Sequence, residues 1–219
     1  MTTVGILGAG KLGSTLARLS TAAGHRTLVA GSGDLGALPL VLSVLAPRAI
    51  ALHAPDVALE SDIVILALPL GRIHELPLAR LGGKTVVDAM NYWPQSDGIL
   101  PEFEGGAPSS PAVARALPGA RIVKALSHLG YHELHDDARV AGAEDRRAVA
   151  IAGDDEAAVA EVSALVDSLG FDPVLVGGLE EGIHFGPGTD AFGVSLSASE
   201  LTRRIDAHRE SAIASAHRG

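Results

Sequence analysis

Three glycines, Gly8, Gly10 and Gly13, stand at the spacing G-x-G-x-x-G inside the segment TVGILGAGKLGSTLARL. Between a strand and a helix, that spacing suits the diphosphate of a dinucleotide. The first glycine permits a tight turn, the second lets the backbone approach the pyrophosphate, and the third lets helix and strand pack closely. The amides of Lys11 and Leu12 would open the helix and face the phosphates, where the helix dipole favours negative charge. Sites that hold NAD usually place a carboxylate at the end of the second strand, against the ribose hydroxyls. Here that position reads Gly31, Ser32, Gly33, Asp34. With no carboxylate at the strand end and Ser32 able to donate to a 2′-phosphate, NADP is the expected cofactor and NAD the alternative. Gly33 belongs to the same binding turn, and Asp34 reads as a helix N-cap.

Ligands of an open parallel sheet lie beyond the carboxyl ends of its strands. The residues expected there are Leu68 and Pro69, then Met90 and Asn91, then Ser127 and His128. Trp93 follows in a loop, where it either stacks on a planar ring or anchors the loop to the sheet edge. Hydride transfer between two cofactors needs stacked rings and excluded water, but no protein acid or base is obligatory. A small carbonyl or imine acceptor would need a proton donor, for which His128 and Tyr92 are the candidates. Lys124 could reach an anionic tail, but a lysine at a strand end is expected to snorkel to solvent. His128, His132 and His135, with Glu133, Asp136 and Asp137, raise zinc or iron binding. The order HELH is not HExxH, and Gly130 interrupts the helix that would align the first two histidines, so a solvated loop and no metal are expected. Asp154 and Asp155 read as a helix start, and Gly186 to Thr189 as a turn that either closes over a ligand or ends the fold.

These residues must be positioned by alternating strands and helices. Strands are expected at Thr3–Leu7, Arg26–Ala30, Ala49–Leu52, Asp62–Leu68, Thr85–Ala89, Arg121–Ala125, Arg147–Ala152 and Asp172–Val176. Helices are expected where Leu12, Leu16, Leu19 and Ala23 share a face, over Leu35–Leu45, over Ala112–Leu117, and where Val159, Val162, Leu165, Val166 and Leu169 share a face. Two stretches break the alternation: a Pro-, Gly- and Ser-rich loop over Asn91–Pro111, long enough to be functional, and an irregular polar stretch over Ser127–Arg146. A charged amphipathic helix runs from Ser197 onward. The division expected is a dinucleotide-binding unit over 1–194 and a helical tail over 195–219.

Composition agrees with α/β. Apolar residues make up 47% of the chain but aromatics only 3%, so the core must come from Ala, Val, Leu and Ile, as in buried parallel strands. The absence of cysteine excludes disulfides, thiolate metal sites and cysteine nucleophiles. A net charge of −9 without a basic run argues against a nucleic-acid surface. The opening MTTVGILGAG enters a strand pattern at once, without the features of a signal peptide, and the apolar run Ile63–Leu70 is too short to span a bilayer. A cytoplasmic protein with small-molecule cofactors and no membrane or nucleic-acid partner is expected.

The ordered set GILGAGKLGSTLARL, SDIVILALPL, GGKTVVDAMN, PGARIVKALSH, AIAGDDEAAVAEVSALVDSLGFDPV and GGLEEGIHFGPGT resembles the coenzyme F420-dependent NADP oxidoreductases. The resemblance covers about Val4 to Gly193. It implies a Rossmann-type, doubly wound, mostly parallel sheet with a small C-terminal extension. It also implies a homodimer, with NADP and coenzyme F420 as cofactors, that transfers a hydride between the nicotinamide and the deazaflavin ring. Members commonly follow the serine after the second strand with arginine, where this chain has Ser32 and Gly33. Two other functions remain open on the residues alone: an NAD(P)H-dependent reductase of a small carbonyl or imine, and a non-catalytic NAD(P)-sensing or partner-binding protein.

Overall fold

Short runs of Val, Ile, Leu and Ala free of polar interruption supply the central strands, and the computed structural model describes residues 1–33, 35–103 and 107–216. In chain order the elements are β1 (Thr3–Leu7), α1 (Lys11–Ala22), β2 (Arg26–Ala30), α2 (Leu38–Leu45), β3 (Ile50–Ala51), α3 (Ala54–Glu60), β4 (Ile63–Leu66) and β5 (Thr85–Asp88). There follow α4 (Pro94–Asp97), α5 (Ser110–Ala116), β6 (Arg121–Lys124), α6 (Tyr131–Asp136), β7 (Ala148–Gly153), α7 (Glu156–Ser168), β8 (Asp172–Gly177) and α8 (Ala198–Ala216). The strands form one sheet in the order β3-β2-β1-β4-β5-β6-β7-β8. Neighbours are parallel throughout except β6 and β7. The order reverses at β1, which places a ligand crevice beyond the ends of β1 and β4.

Alternation along each strand feeds two helical layers. Val4, Ile6, Ile65, Val87, Val123, Val149 and Ile151 meet Leu16 and Leu19 of α1 and Val162, Leu165 and Val166 of α7. On the other face Leu7, Leu28, Val64, Leu66, Val86 and Ile122 meet Val57 of α3 and Val113 of α5. Toward the far edge the second face of β7 carries only Ala148, Ala150 and Ala152, and these small residues leave room for Phe185 and for Leu201 and Ile205 of α8. The C-terminal helix is therefore docked on the sheet.

The expected α/β architecture is the one observed, with local differences. Strand β4 ends at Leu66, and α2 begins at Leu38 with Pro39 in its first turn, where the missing N–H costs nothing. The loop after β5 is broken by α4 and by a 3-10 turn at Pro101–Phe103, and α5 starts at Ser110. The polar stretch after β6 contains α6, whose Tyr131 ring lies 5.2 Å from the Lys11 ammonium of α1. With α6 held there at the carboxyl edge, the chain re-enters the sheet from that side and β7 runs antiparallel to β6. Arg146 anchors the return: its buried guanidinium bonds Asp167 at 2.6 Å, Asp172 at 2.7 Å and the Phe171 carbonyl at 2.6 Å. Among the described residues no helix is long and apolar enough to cross a membrane.

Candidate active site

The chain leaves β1 through Gly8, whose φ of +120° only glycine adopts readily. A Cβ there would fall 2.1 Å from the Ala67 carbonyl oxygen, and one at Gly13 would fall 1.8 Å from that of Gly8. These two glycines make the turn and let α1 press on it. Gly10 differs, because nothing lies within 4 Å of the Cβ it lacks. Gly10 also gives α1 no side-chain cap, and the first turn of α1 holds no acidic residue. The free amides and the positive end of the helix dipole are thus left for an anion.

They open on a cavity of about 720 Å³ at the ends of β1, β2 and β4, lined by Gly8, Gly10, Ser32, Gly33, Leu68 and Pro69 among others. Lys11 and Leu12 begin α1 beside it, while Asp34 lies outside the described residues. The donor set fits a dinucleotide diphosphate. His53, Arg72 and Glu75 also line this cavity and were not anticipated, and Arg72 Nε donates to Glu75 at 2.8 Å. Their signal was position, since His53 follows β3 and Arg72 follows the Leu68-Pro69 strand end.

A second cavity, of about 520 Å³, lies beyond β5 and β6. Asn91, Tyr92 and Trp93 line one side, Gly182, Ile183, Gly186 and Pro187 another, and Lys124 is part of the wall. The turn at Gly186 therefore does face a cavity. Lys124 is corrected from a solvent-reaching lysine to a buried one, 3% exposed. Parallel register puts Asp88 and Lys124 side by side at the ends of β5 and β6. The ammonium lies 3.4 Å from the Asp88 carboxylate and donates to the Met90 carbonyl. Asp88 also accepts from Ser110 Oγ at 2.6 Å and from the Met90 N–H at 3.0 Å. Burial lowers the Lys124 pKa against the opposing pull of Asp88.

Other expected site residues are placed elsewhere. Met90, Ser127 and His128 line neither cavity. Leu126 has a φ of 60°, a costly conformation for leucine, and this turn carries Ser127 and His128 into the interior. The Ser127 carbonyl accepts from Asn91 Nδ2 at 2.7 Å, so it supports the site from behind. His128 Nε2 accepts the Ala150 N–H at 3.0 Å, its ring packs on Phe185, and its Nδ1 lies by the Ala191 backbone without a well-formed hydrogen bond. Burial pushes its pKa down to about 4. It is a neutral core histidine and is withdrawn as a proton donor. The Tyr92 hydroxyl accepts from the Leu100 N–H at 3.0 Å and donates to the Gly98 carbonyl at 3.2 Å, so its proton is engaged in the loop. Trp93 is 43% exposed, with its ring edge-on to Phe192 at 5.8 Å. His132 and His135 lie on α6, apart from the buried His128, and no group of three or more His, Asp or Glu among the described residues is arranged to hold a metal. Asp155 caps α7 by accepting the Ala158 N–H, and Asp154 accepts the Leu179 N–H.

Residues 3–92 match a family model described as NADP oxidoreductase, coenzyme F420-dependent. The hypothetical protein SMa0349 of Sinorhizobium meliloti is 32% identical, with a TM-score of 0.77 over 90% of this chain and 96% of that one. A protein of Arthrobacter sp. FB24 assigned as an F420-dependent NADP reductase is 25% identical, with a TM-score of 0.67 over 82% and 86%. An imine reductase of Myxococcus stipitatus in complex with NADP⁺ is 18% identical and shares the fold, with a TM-score of 0.59 over 98% of this chain and 63% of that one. No curated protein matches the chain. Fold, glycine turn and likenesses together define an NAD(P)-dependent oxidoreductase of the Rossmann type. Within that class the chain belongs to the coenzyme F420-dependent NADP oxidoreductase family.

Two measurements check this geometry. Gly10→Val fills the open face where a diphosphate would sit. It is expected to weaken NADP⁺ binding in calorimetry by about 100-fold or more, because charge-assisted bonds worth about 1.5–3 kcal/mol each are lost. Stability should move by only about 1 kcal/mol. Gly13→Ala, which meets the Gly8 carbonyl, should instead destabilise the fold by more than about 2 kcal/mol. For His128, the unfolded chain binds a proton below pH 6.5 that the folded chain refuses until about pH 4. Stability from this group is complete above pH 6.5 and is lost as pH falls toward 4, by roughly 3 kcal/mol. Urea unfolding across that window should show the loss, and His128→Gln should remove it.

Proposed function

We propose that the protein transfers a hydride between NADP(H) and coenzyme F420. The observation that carries this reading is the second cavity, set at the ends of β5 and β6 next to the dinucleotide crevice and walled by Tyr92, Trp93 and Phe103. The two cofactors supply the redox chemistry itself. The chain's part is to bind, orient and dry them. The amides opening α1 would take the diphosphate. Ser32, with His53 and the Glu75-paired Arg72 in the same cavity, supports a 2′-phosphate, and Gly33 places no carboxylate against it. Asn91, tied to the Ser127 carbonyl, lines the second cavity. Tyr92 and Trp93 line that cavity in a chain with only seven aromatics, and Asp97 fixes their loop by accepting from the Trp93 N–H at 2.7 Å and the Gly71 N–H at 3.0 Å.

With NADPH and oxidised coenzyme F420, the protein is expected to bleach the deazaflavin absorbance, and NADH should be slower by about tenfold or more, the weight of about 1.4 kcal/mol from the 2′-phosphate contacts. Trp93→Ala should raise the KM for the deazaflavin by about two- to tenfold, as expected for a stacking contact worth about 0.5–1.5 kcal/mol. If both cofactors bind without bleaching in either direction, the reading is wrong. NADPH oxidation by a panel of small carbonyls or imines would then identify the acceptor class.

A further inference from the structure

Of the proton donors that the sequence offered, His128 is buried and neutral and the Tyr92 hydroxyl is engaged in its loop, yet the wall of the second cavity carries one N–H donor that no role has absorbed. Lys124 Nζ is held by two acceptors, Asp88 Oδ2 and the Met90 carbonyl, and its third N–H has no acceptor among the described residues. The stem is fixed by Gly182, where an added Cβ would lie 3.2 Å from Lys124 Cγ. Asp88 neutralises the ammonium, so the pair presents donor hydrogen without net charge, which suits a neutral acceptor better than a carboxylate or phosphate.

Resting on the reading of the second cavity as the acceptor site, we propose that Lys124 is the catalytic proton donor to the acceptor's heteroatom, with Asp88 and Ser110 as its positioning residues. As the electrophilic carbon of the acceptor gains hydride from the reduced nicotinamide, its π electrons move to a conjugated nitrogen or oxygen. Lys124 Nζ gives that atom a proton: one N–H bond breaks, a new N–H or O–H bond forms, and the amine left behind regains a proton from solvent at the cavity. In the opposite direction the neutral amine takes the proton back. The acceptor class is an uncharged conjugated C=N or C=O, of which the deazaflavin ring is one case.

Asp88 is the charge that acts on Lys124. Glu181 and His184, on either side of Gly182, pair instead with α8, Glu181 with Arg209 at 2.6 Å and His184 with His208 at 2.9 Å. Burial lowers the Lys124 pKa below the ordinary lysine value, and the attraction of Asp88 opposes it.

The chain has three lysines, Lys11, Lys84 and Lys124, so lysine-labelled protein yields three side-chain NMR signals to titrate. Lys124 is expected to titrate below the ordinary lysine value. For F420 reduction by NADPH, kcat/KM should fall with rising pH at that same midpoint. Lys124→Arg should move this limb out of range and slow turnover. Lys124→Met with Asp88→Asn, which avoids a stranded buried carboxylate, should abolish the limb and cost roughly 100-fold in kcat, the usual weight of a general acid, with NADP⁺ affinity retained. If the wild type transfers hydride and either variant keeps both its rate and its alkaline limb, the role of Lys124 is overturned and the deazaflavin reading stands. If the wild type transfers none, the deazaflavin reading falls, and the NMR titration still judges Lys124: a midpoint no lower than the ordinary lysine value overturns the proposal.

Discussion

The site depends on a contact between two pieces of backbone. Gly13, in the first turn of α1, lies so close to Gly8 at the end of β1 that no side chain fits between them. The contact fixes the angle at which α1 leaves the sheet, and the angle aims its uncapped amides into the cavity at the ends of β1, β2 and β4. The reversal of strand order at β1 keeps that crevice free of crossing connections. The apolar face of α1 then buries Leu16 and Leu19 against Val4 and Ile6, so the sheet holds in place what the glycines permit.

A second constraint lies at the neighbouring strand ends. Asp88 and Lys124 are in register on β5 and β6, and their buried pair also ties Ser110 of α5 and the backbone of Met90. A buried ion pair is a weak source of net stability, because desolvation offsets most of the attraction. Its value here is positional. It brings an N–H donor to the wall of the second cavity and holds the start of the Asn91 loop, whose aromatic residues form part of the same wall.

What could be read from residue order was what depends on local pattern. The glycine turn, the apolar strands and the face of α7 each carry their signal within a few residues, and each was found where expected. The burial of His128 and Lys124 could not be read that way, because it depends on partners far along the chain. His128 is neutral because the left-handed Leu126 turns it toward Ala150 and Phe185, and nothing in SHLG announces that turn. Lys124 is buried because β5 pairs with β6 and the segment after β8 folds over it with glycine at the point of contact. The antiparallel entry of β7 has the same origin, the docking of α6 on α1. A lysine and an aspartate that end adjacent parallel strands were the available clue, and a preference for solvent outweighed it.

The structure thus sets a crevice at the ends of β1, β2 and β4 beside a second cavity at the ends of β5 and β6, with Lys124 in the wall of the second. The most direct measurement is a crystal structure of the protein with NADP⁺ bound. The diphosphate is expected against Gly10 and the amides of Lys11 and Leu12, the adenosine end by Ser32, and the nicotinamide turned toward Asn91 and the mouth of the cavity that Lys124 lines. A dinucleotide bound away from the Gly10 face, or a nicotinamide directed away from that second cavity, would contradict it.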